Sequence, residues 1–366
     1  MAEAREGEIK IDGSLMEGGG QIMRNSVTFA CLLNRVINVY NIRAGRSNPG
    51  LRPQHMTGLQ LVRDICCGKL EGDCVGSFSI TLNSSKLQSG TFSANTKTAG
   101  SICLLMQVAL PCLLYAPSAS QLILKGGTDA EMAPPIDYMT QVFKPAAEKL
   151  GVKFDCTIIR RGYFPKGGGE VLVNVDVVKS LKPVQLVEFG SLLRFTGKAW
   201  VAGVIPYKVA QTMAREATKL IKRRYPDTPI NIDAVQESRD KAHGNGTGIQ
   251  VMAETTTGCR IAVSALGRKG VPSEEVASDA VSDLTRNLDS GGCVDEHLQD
   301  QLIILMALAN GKSRVKTGPL TMHTKTAIYV AERITKARFK VTSCSDEGHD
   351  ASIIECDGIG LVNHSL

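Results

Sequence analysis

In the stretch GPLTMHTKTAIYVAERI (Gly318 to Ile334), one histidine, His323, stands where a loop turns into a helix. The dipole at a helix start disfavours imidazolium and favours neutral imidazole, the form whose lone pair attacks an electrophile. Lys325 adds to that field if it points inward. Position alone is explained equally well by a polar cap or a packed side chain.

Arginines form the second group. Arg24 lies one turn into a helix that follows Gly18-Gly19-Gly20, and Arg43, Arg46 and Arg52 crowd a loop stiffened by Gly and Pro, with Gln54 and His55 at its end. A guanidinium fork matches phosphate or carboxylate, so this density fits phosphate binding as well as a salt-bridged surface loop. Glycines at Gly18 to Gly20, Gly100 and Gly126-Gly127 sit at helix entries, where free N–H groups favour an anion and where glycine also simply permits a tight turn. The carboxylates Glu17, Asp295, Glu296 and Asp300 fall at or near helix starts, where capping explains them; one or two could instead hold a Mg²⁺ that accompanies nucleotide phosphates.

Several classes are disfavoured. Neither G-x-x-x-x-G-K-[ST] nor a strand-to-helix G-x-G-x-x-G occurs, and Gly244 to Gly248 runs into a strand-like segment. His55, His243, His297, His349 and His364 lack metal-like spacing, and no Ser/His/Asp or Cys/His rival stands out. Eleven cysteines without CxxC spacing, several of them inside apolar runs, indicate a reducing compartment. The net charge of +6 is mild for a chain that is 21% charged, so it suits an anionic partner without requiring one. MAEAREGEIKIDG lacks the apolar core of a signal peptide, and Ile102 to Ala116 is too short for a span.

The elements that must position these residues recur. Strand Glu8 to Asp12, helix QIMRNSVTFACLLN, strand Val36 to Ile42, a helix entered at Pro53, and strands Leu70 to Val75 and Phe78 to Leu82 form one unit. Strand Thr91 to Thr98, an apolar helix ICLLMQVALPCLL, strand Gln121 to Lys125, helix PIDYMTQVFKPAAEKL kinked at Pro145, and strands Val152 to Arg160 and Glu170 to Val178 repeat it. A third copy begins with DEHLQDQLIILMALANG. The fold class is therefore α/β, with three β-α-β-α-β-β units (about 8–83, 90–180 and 288–358), each a four-stranded sheet under two helices. Residues 186–287 break the period as a smaller inserted α/β domain, leaving 1–185 and 288–366 as the main one. Its helix from Pro206 to Arg224 turns Val209, Met213, Ala217, Leu220 and Ile221 inward. The basic face (Lys208, Arg215, Lys219, Lys222, Arg223) is a solvated surface or a polyanion contact.

MEGGGQIMR (Met16 to Arg24), IRAGRSNPGLRPQH (Ile42 to His55), KTAGSICLLMQ (Lys97 to Gln107), GGTDAEMAPPIDY (Gly126 to Tyr138), RGYFPKGGGE (Arg161 to Glu170), DEHLQDQL (Asp295 to Leu302) and TMHTKTA (Thr321 to Ala327) together resemble the RNA 3′-terminal phosphate cyclase family over almost the whole chain. The resemblance implies three repeated units plus an insert. It also implies an ATP-dependent reaction through a covalent histidine-AMP at His323 and an RNA-adenylate, ending in a 2′,3′-cyclic phosphate. By position in these motifs, Glu17 approaches the Mg²⁺ or Mn²⁺, Arg24, Arg43 and Arg46 the phosphates, and Gln54 and His55 line the site. Gln107, Pro134, His297, Asp300 and Gln301 fall where the family contacts the adenosine part of ATP. His297 replaces the usual tyrosine, another flat ring. The implied partner is RNA with a 3′-terminal phosphate, with no membrane and no obligate protein partner, and the implied location is the nucleus, with cytoplasm also open. Two other readings are a catalytically silent relative that scaffolds ribosome assembly, whose mark would be loss of His323, and an enolpyruvyl transferase built on a similar unit.

Overall fold

The computed structural model describes residues 7–344 and 350–366; His349, one of the histidines weighed above, lies outside them. The first unit contains β1 (Ile9–Asp12), α1 (Gly20–Leu32), β2 (Val36–Tyr40), α2 (Pro53–Ile65), β3 (Lys69–Glu71) and β4 (Ile80–Asn83). Its sheet runs β1-β2-β4-β3, with β1 and β2 parallel and the other two pairings antiparallel. A parallel neighbour needs a crossover, and α1 supplies it while burying nearly its whole surface. Pro53 opens α2 at its first position, where a missing N–H costs nothing.

The second unit repeats that order. β5 (Thr91–Asn95), α3 (Ile102–Leu114) and β6 (Ser120–Gly126) precede a helical stretch, then β7 (Phe154–Gly162) and β8 (Gly169–Val175), with β5-β6-β8-β7 in the sheet. The helical stretch is not one kinked rod. It is built from α4 (Ile136–Tyr138), a π-turn at Met139–Phe143 and α5 (Lys144–Glu148). Pro145 has no N–H for the carbonyl of Gln141, four residues earlier; the Arg260 guanidinium donates to that oxygen instead at 2.7 Å.

In the third sheet the order is β16 (Arg338–Cys344), β17 (Ala351–Asp357), β15 (Lys312–Thr317) and β9 (Gln185–Leu186). Here β9 precedes the inserted residues, while α8 (Leu298–Leu308), β15, α9 (Met322–Thr335), β16 and β17 follow them. β9 lies parallel to β15, and β15 and β16 both pair antiparallel with β17, as in the other two sheets. The expectation of a third copy beginning near 288 thus missed its first strand. Two residues are too few to show alternation.

Between those pieces lie β10 (Leu192–Ala202), α6 (Tyr207–Arg224), β11 (Ile230–Gln236), β12 (Ala242–His243), β13 (Gly246–Thr255), β14 (Arg260–Leu266) and α7 (Ser273–Asp289). Four of these strands form a separate sheet, β11-β10-β13-β14, and Phe195, Met213, Ile221, Val251, Ile261, Val276 and Leu284 close a core of their own beneath α6 and α7. Met213, Ala217 and Ile221 are buried while Lys208, Arg215, Lys219, Lys222 and Arg223 are exposed, as the periodicity of this helix requires. β12 departs from the expected plan. It leaves the inserted sheet and adds a parallel fifth strand to the second one, opposite Arg161 and Gly162.

At that junction Arg161 is buried among Asp137, Asp129 and Glu237, with Lys198 reaching Asp137 and Glu237 from the inserted sheet. Desolvation of these charges is offset only while the partners remain, and the cluster joins the inserted sheet to the second unit. A single large core runs through the three repeated sheets and α1, α2, α3, α8 and α9. No helix among the described residues is long and apolar enough to cross a membrane.

Candidate active site

The entries of α1, α2, α8 and α9 converge. Thr321 caps α9 by accepting from Thr324 N, and Gln299 on α8 braces that turn: its Oε1 accepts from Thr321 N (3.1 Å) and Thr324 Oγ1 (2.6 Å), and its Nε2 donates to Thr317 Oγ1 (2.8 Å). His323 therefore leaves a helix end that is held from two sides. The residue is exposed overall, yet enough of the ring is enclosed that desolvation lowers its pKa; Glu17 pulls the other way, and Arg24, His297 and Arg46 reinforce the lowering. Neutral imidazole is the favoured form at pH 7. Lys325 is exposed.

His323 Nδ1 lies 3.1 Å from Gln21 Oε1, and Gln21, almost fully buried in the first turn of α1, donates through Nε2 to Asp300 Oδ2. Gln21 was not among the expected site residues. In GGGQIMR it reads as an ordinary polar position, because its partners are 279 and 302 residues away in the chain. Burial raises Asp300 to about 6, against the opposing pull of His297, Arg24 and the Gln21 hydrogen bond. It is still mainly a carboxylate at pH 7.

Beside this chain lies an excess of positive charge. Arg24 makes no hydrogen bond or ion pair with another described residue, and its burial lowers its pKa, with Asp300 and Glu17 as the nearest countercharges. Arg46 pairs with Glu17 and donates to the Glu17 carbonyl at 2.7 Å. Arg43, at a φ of 53°, donates to Asn48 O, but its buried Nε has no acceptor. Burial and then the charges of Arg46 and Arg52 lower its pKa. A buried guanidinium nitrogen without an acceptor, as at Arg43 Nε, is costly, so this concentration of guanidiniums is suited to an anion.

α2 contributes two groups. Gln54 Oε1 accepts from Ser101 N at 2.8 Å, which leaves its amide nitrogen free to donate. His55 is pushed down to about 3, first by burial and then by Arg24, Arg43 and Arg52. Its Nδ1 accepts from Arg52 N at 3.3 Å, so the neutral ring must carry its proton on Nε2. That nitrogen faces α1: a Cβ on Gly20 would lie 2.5 Å from His55 Nε2 and 2.9 Å from Arg24 Nη1. Glycine here lets both reach the uncapped helix start, whose N–H groups add to the anion site.

Among the expected carboxylates, Asp295 turns out to be structural. It is fully buried and accepts from His297 N, Leu298 N, Tyr138 Oη and Ala262 N, tying α8, α4 and β14 together. Glu296 pairs with Arg286 at the surface. Glu17 differs, since its Oε2 is buried and has no partner while Oε1 is occupied by Arg46. Among the described residues no group of three or more His, Cys, Asp or Glu is placed to hold a metal ion by itself.

The positions expected for the adenosine part of ATP are less tightly joined. His297 presents its ring edge-on to Tyr138, with centroids 5.8 Å apart at 87°, and lies close enough to His323 and Asp300 to influence both electrostatically. Gln301 Oε1 is buried without a donor. Gln107 is half-buried on α3 and Pro134 is buried at the entry to α4; no hydrogen bond links either side chain to the cluster.

A family model described as RNA 3′-terminal phosphate cyclase matches residues 15–341. The chain is 41% identical to a probable RNA 3′-terminal phosphate cyclase of Dictyostelium discoideum, over 98% of this chain and 84% of that one. It is 39% identical to an RNA 3′-terminal phosphate cyclase of Drosophila melanogaster (97% and 98% covered) and 38% to that of Pyrobaculum aerophilum (96% and 99%). Among solved structures, the enolpyruvyl transferase NikO from Streptomyces tendae aligns at a TM-score of 0.40 and 10% identity, over 98% of this chain and 49% of that one, a likeness too slight to bear on either fold or activity.

Proposed function

This chain belongs to the RNA 3′-terminal phosphate cyclase family, and from that premise we propose that it closes an RNA 3′-terminal phosphate to a 2′,3′-cyclic phosphate by way of a covalent histidine-AMP. The observation that carries this reading is His323 at the entry of α9, its Nδ1 met by Gln21 Oε1, in a cluster with the half-buried Arg24 and the Arg46–Glu17 pair.

In this reading His323 attacks the α-phosphate of ATP and pyrophosphate leaves. AMP then passes to the RNA 3′-phosphate, and the neighbouring 2′-hydroxyl displaces it. A phosphate monoester is a poor electrophile with a poor leaving group, and adenylylation supplies a good one. The 2′-hydroxyl requirement selects RNA over DNA. Arg24 and Arg43 bear on phosphate oxygens, Arg46 holds Glu17 in place while remaining within reach, and Gln54 Nε2 and His55 Nε2–H donate to the same anions. Negative charge that builds on those oxygens is met by donors already in place. His297, Asp300, Gln301, Gln107 and Pro134 receive the nucleoside.

The unpartnered Oε2 of Glu17 fits a Mg²⁺ or Mn²⁺ held by one protein carboxylate, with phosphate oxygens and water completing its shell. Such an ion would neutralise charge on the triphosphate. Incubation with ATP labelled on the α-phosphate tests the proposal: acid-labile, alkali-stable label should appear on the wild-type chain and be absent from His323→Ala. An unlabelled wild type would overturn it.

A further inference from the structure

We infer that Gln21 is a positioning residue that fixes the tautomer of His323, keeping the proton on Nδ1 and the lone pair on Nε2. The inference rests on the reading of His323 as nucleophile and deepens it.

The argument is one of hydrogen-bond polarity. A carboxylate only accepts, so Asp300 requires the Gln21 amide to present Nε2 to it. The other end of the same amide, Oε1, then faces His323 Nδ1 at 3.1 Å and can only accept. Nδ1 must therefore be the protonated nitrogen. Rotating the amide would set its NH₂ against His323 and its oxygen against the carboxylate, two acceptors without a proton between them. Burial makes that arrangement expensive, because Gln21 has no water to turn to. Asp300 thus orients Gln21, and Gln21 orients the imidazole, in the way that a buried carboxylate sets the imidazole tautomer of a hydrolase triad. An amide stands between the two here, so the carboxylate's charge is kept one side chain away from the ring.

The covalent step shows why this polarity is needed. The Nε2 lone pair forms the bond to the α-phosphorus, the bond from that phosphorus to the bridging oxygen breaks, and pyrophosphate leaves with the electron pair. The ring gains positive charge while its proton stays on Nδ1, where Gln21 Oε1 holds it. With the other tautomer, Nε2 would carry a hydrogen and have no pair to give.

The test combines kinetics with a direct reading of the tautomer in the full-length protein. Gln21→Met keeps the length of the side chain and removes the amide. It should slow single-turnover labelling by about 10- to 100-fold with little change in the ATP concentration for half-saturation, the scale seen when a group orienting a reactive side chain is lost. Gln21→Glu alone places two carboxylates side by side. Adding Asp300→Asn restores the pattern with the roles exchanged, amide donating to carboxylate and carboxylate accepting from Nδ1–H, so Gln21→Glu/Asp300→Asn should label faster than Gln21→Glu. Long-range ¹H–¹⁵N spectra of the imidazoles should show His323 protonated on Nδ1 in the wild type and a mixture in Gln21→Met. Wild-type labelling rates in a folded Gln21→Met protein, or no gain from the exchanged pair, would refute the inference while leaving the nucleophile intact. An unlabelled wild type would remove the nucleophile reading instead. A proton found on Nε2 of His323 refutes the inference in either case.

Discussion

His55 and His323 stand at corresponding places, the entry of the second helix in the first and third units, and both rings are held neutral. Their nitrogens are used in opposite senses. His55 accepts a backbone N–H on Nδ1 and offers a proton from Nε2 toward Arg24 and the start of α1. His323 meets an amide oxygen at Nδ1 and leaves Nε2 free. In the proposed reaction one would donate to an anion and the other would be the nucleophile. The repeated unit supplies the place, and the neighbour of Nδ1 supplies the task.

The comparison breaks most sharply at the nucleophile. His323→Ala should abolish α-phosphate labelling, a loss beyond about 10³-fold in single-turnover assays, whereas His55→Ala should label slowly but measurably. If both variants are equally dead, the assignment of one donor and one nucleophile fails. Arg24 comes next. Its unpaired guanidinium should be worth about 10²- to 10³-fold in the adenylylation rate, read as Arg24→Ala against wild type at saturating ATP, since it is one preset donor to developing charge. Arg24→Lys should recover only part of that, because a point charge does not reproduce the fork.

A smaller effect sharpens the donor side. His55→Gln retains an N–H and should lose less than His55→Ala in the same assay, on the order of 10-fold less if donation is its role. An equal loss in both would mean that the ring contributes shape instead.

The smallest expected effect is on stability. His55 titrates near 3 when folded and at its ordinary 6.5 when unfolded, so between those values the unfolded chain binds the extra proton. Stability therefore falls as pH drops through 6.5 and stops falling near 3, by about 2 kcal/mol between pH 7 and pH 5. Asp129 and Asp300, each raised to about 6 by burial, act in the opposite direction, because below 6 the folded state binds their protons first. Net unfolding curves of the wild type should thus vary little over that range. The difference between wild type and His55→Gln in urea unfolding at pH 7 and pH 5 isolates the histidine, and a constant difference would mean that its ring is hydrated.

Much of this molecule was legible in its sequence. Period-2 and period-3.6 patterns located most strands and helices, Pro53 marked a helix entry, and the inward stripe of α6 was read correctly at Met213, Ala217 and Ile221. What local patterns could not carry were short and distant partnerships. β9 and β12 are two residues each, and their pairing with β15 and β7 is set by what lies beside them. The Gln141 carbonyl, in the π-turn before Pro145, is met by Arg260 from the inserted sheet.

The same division runs through the site. Residue type and position raised His323, the arginines and Glu17 as candidates beside plainer readings as caps and salt bridges, and the family resemblance gave them roles. Only the tertiary structure decided which carboxylates were free: Asp295 is consumed by four hydrogen bonds, while Glu17 keeps an oxygen without a partner. It alone brought Gln21 between Asp300 and His323, across nearly the full length of the chain. A side chain's kind fixes what it can donate or accept, and only packing fixes what it is offered.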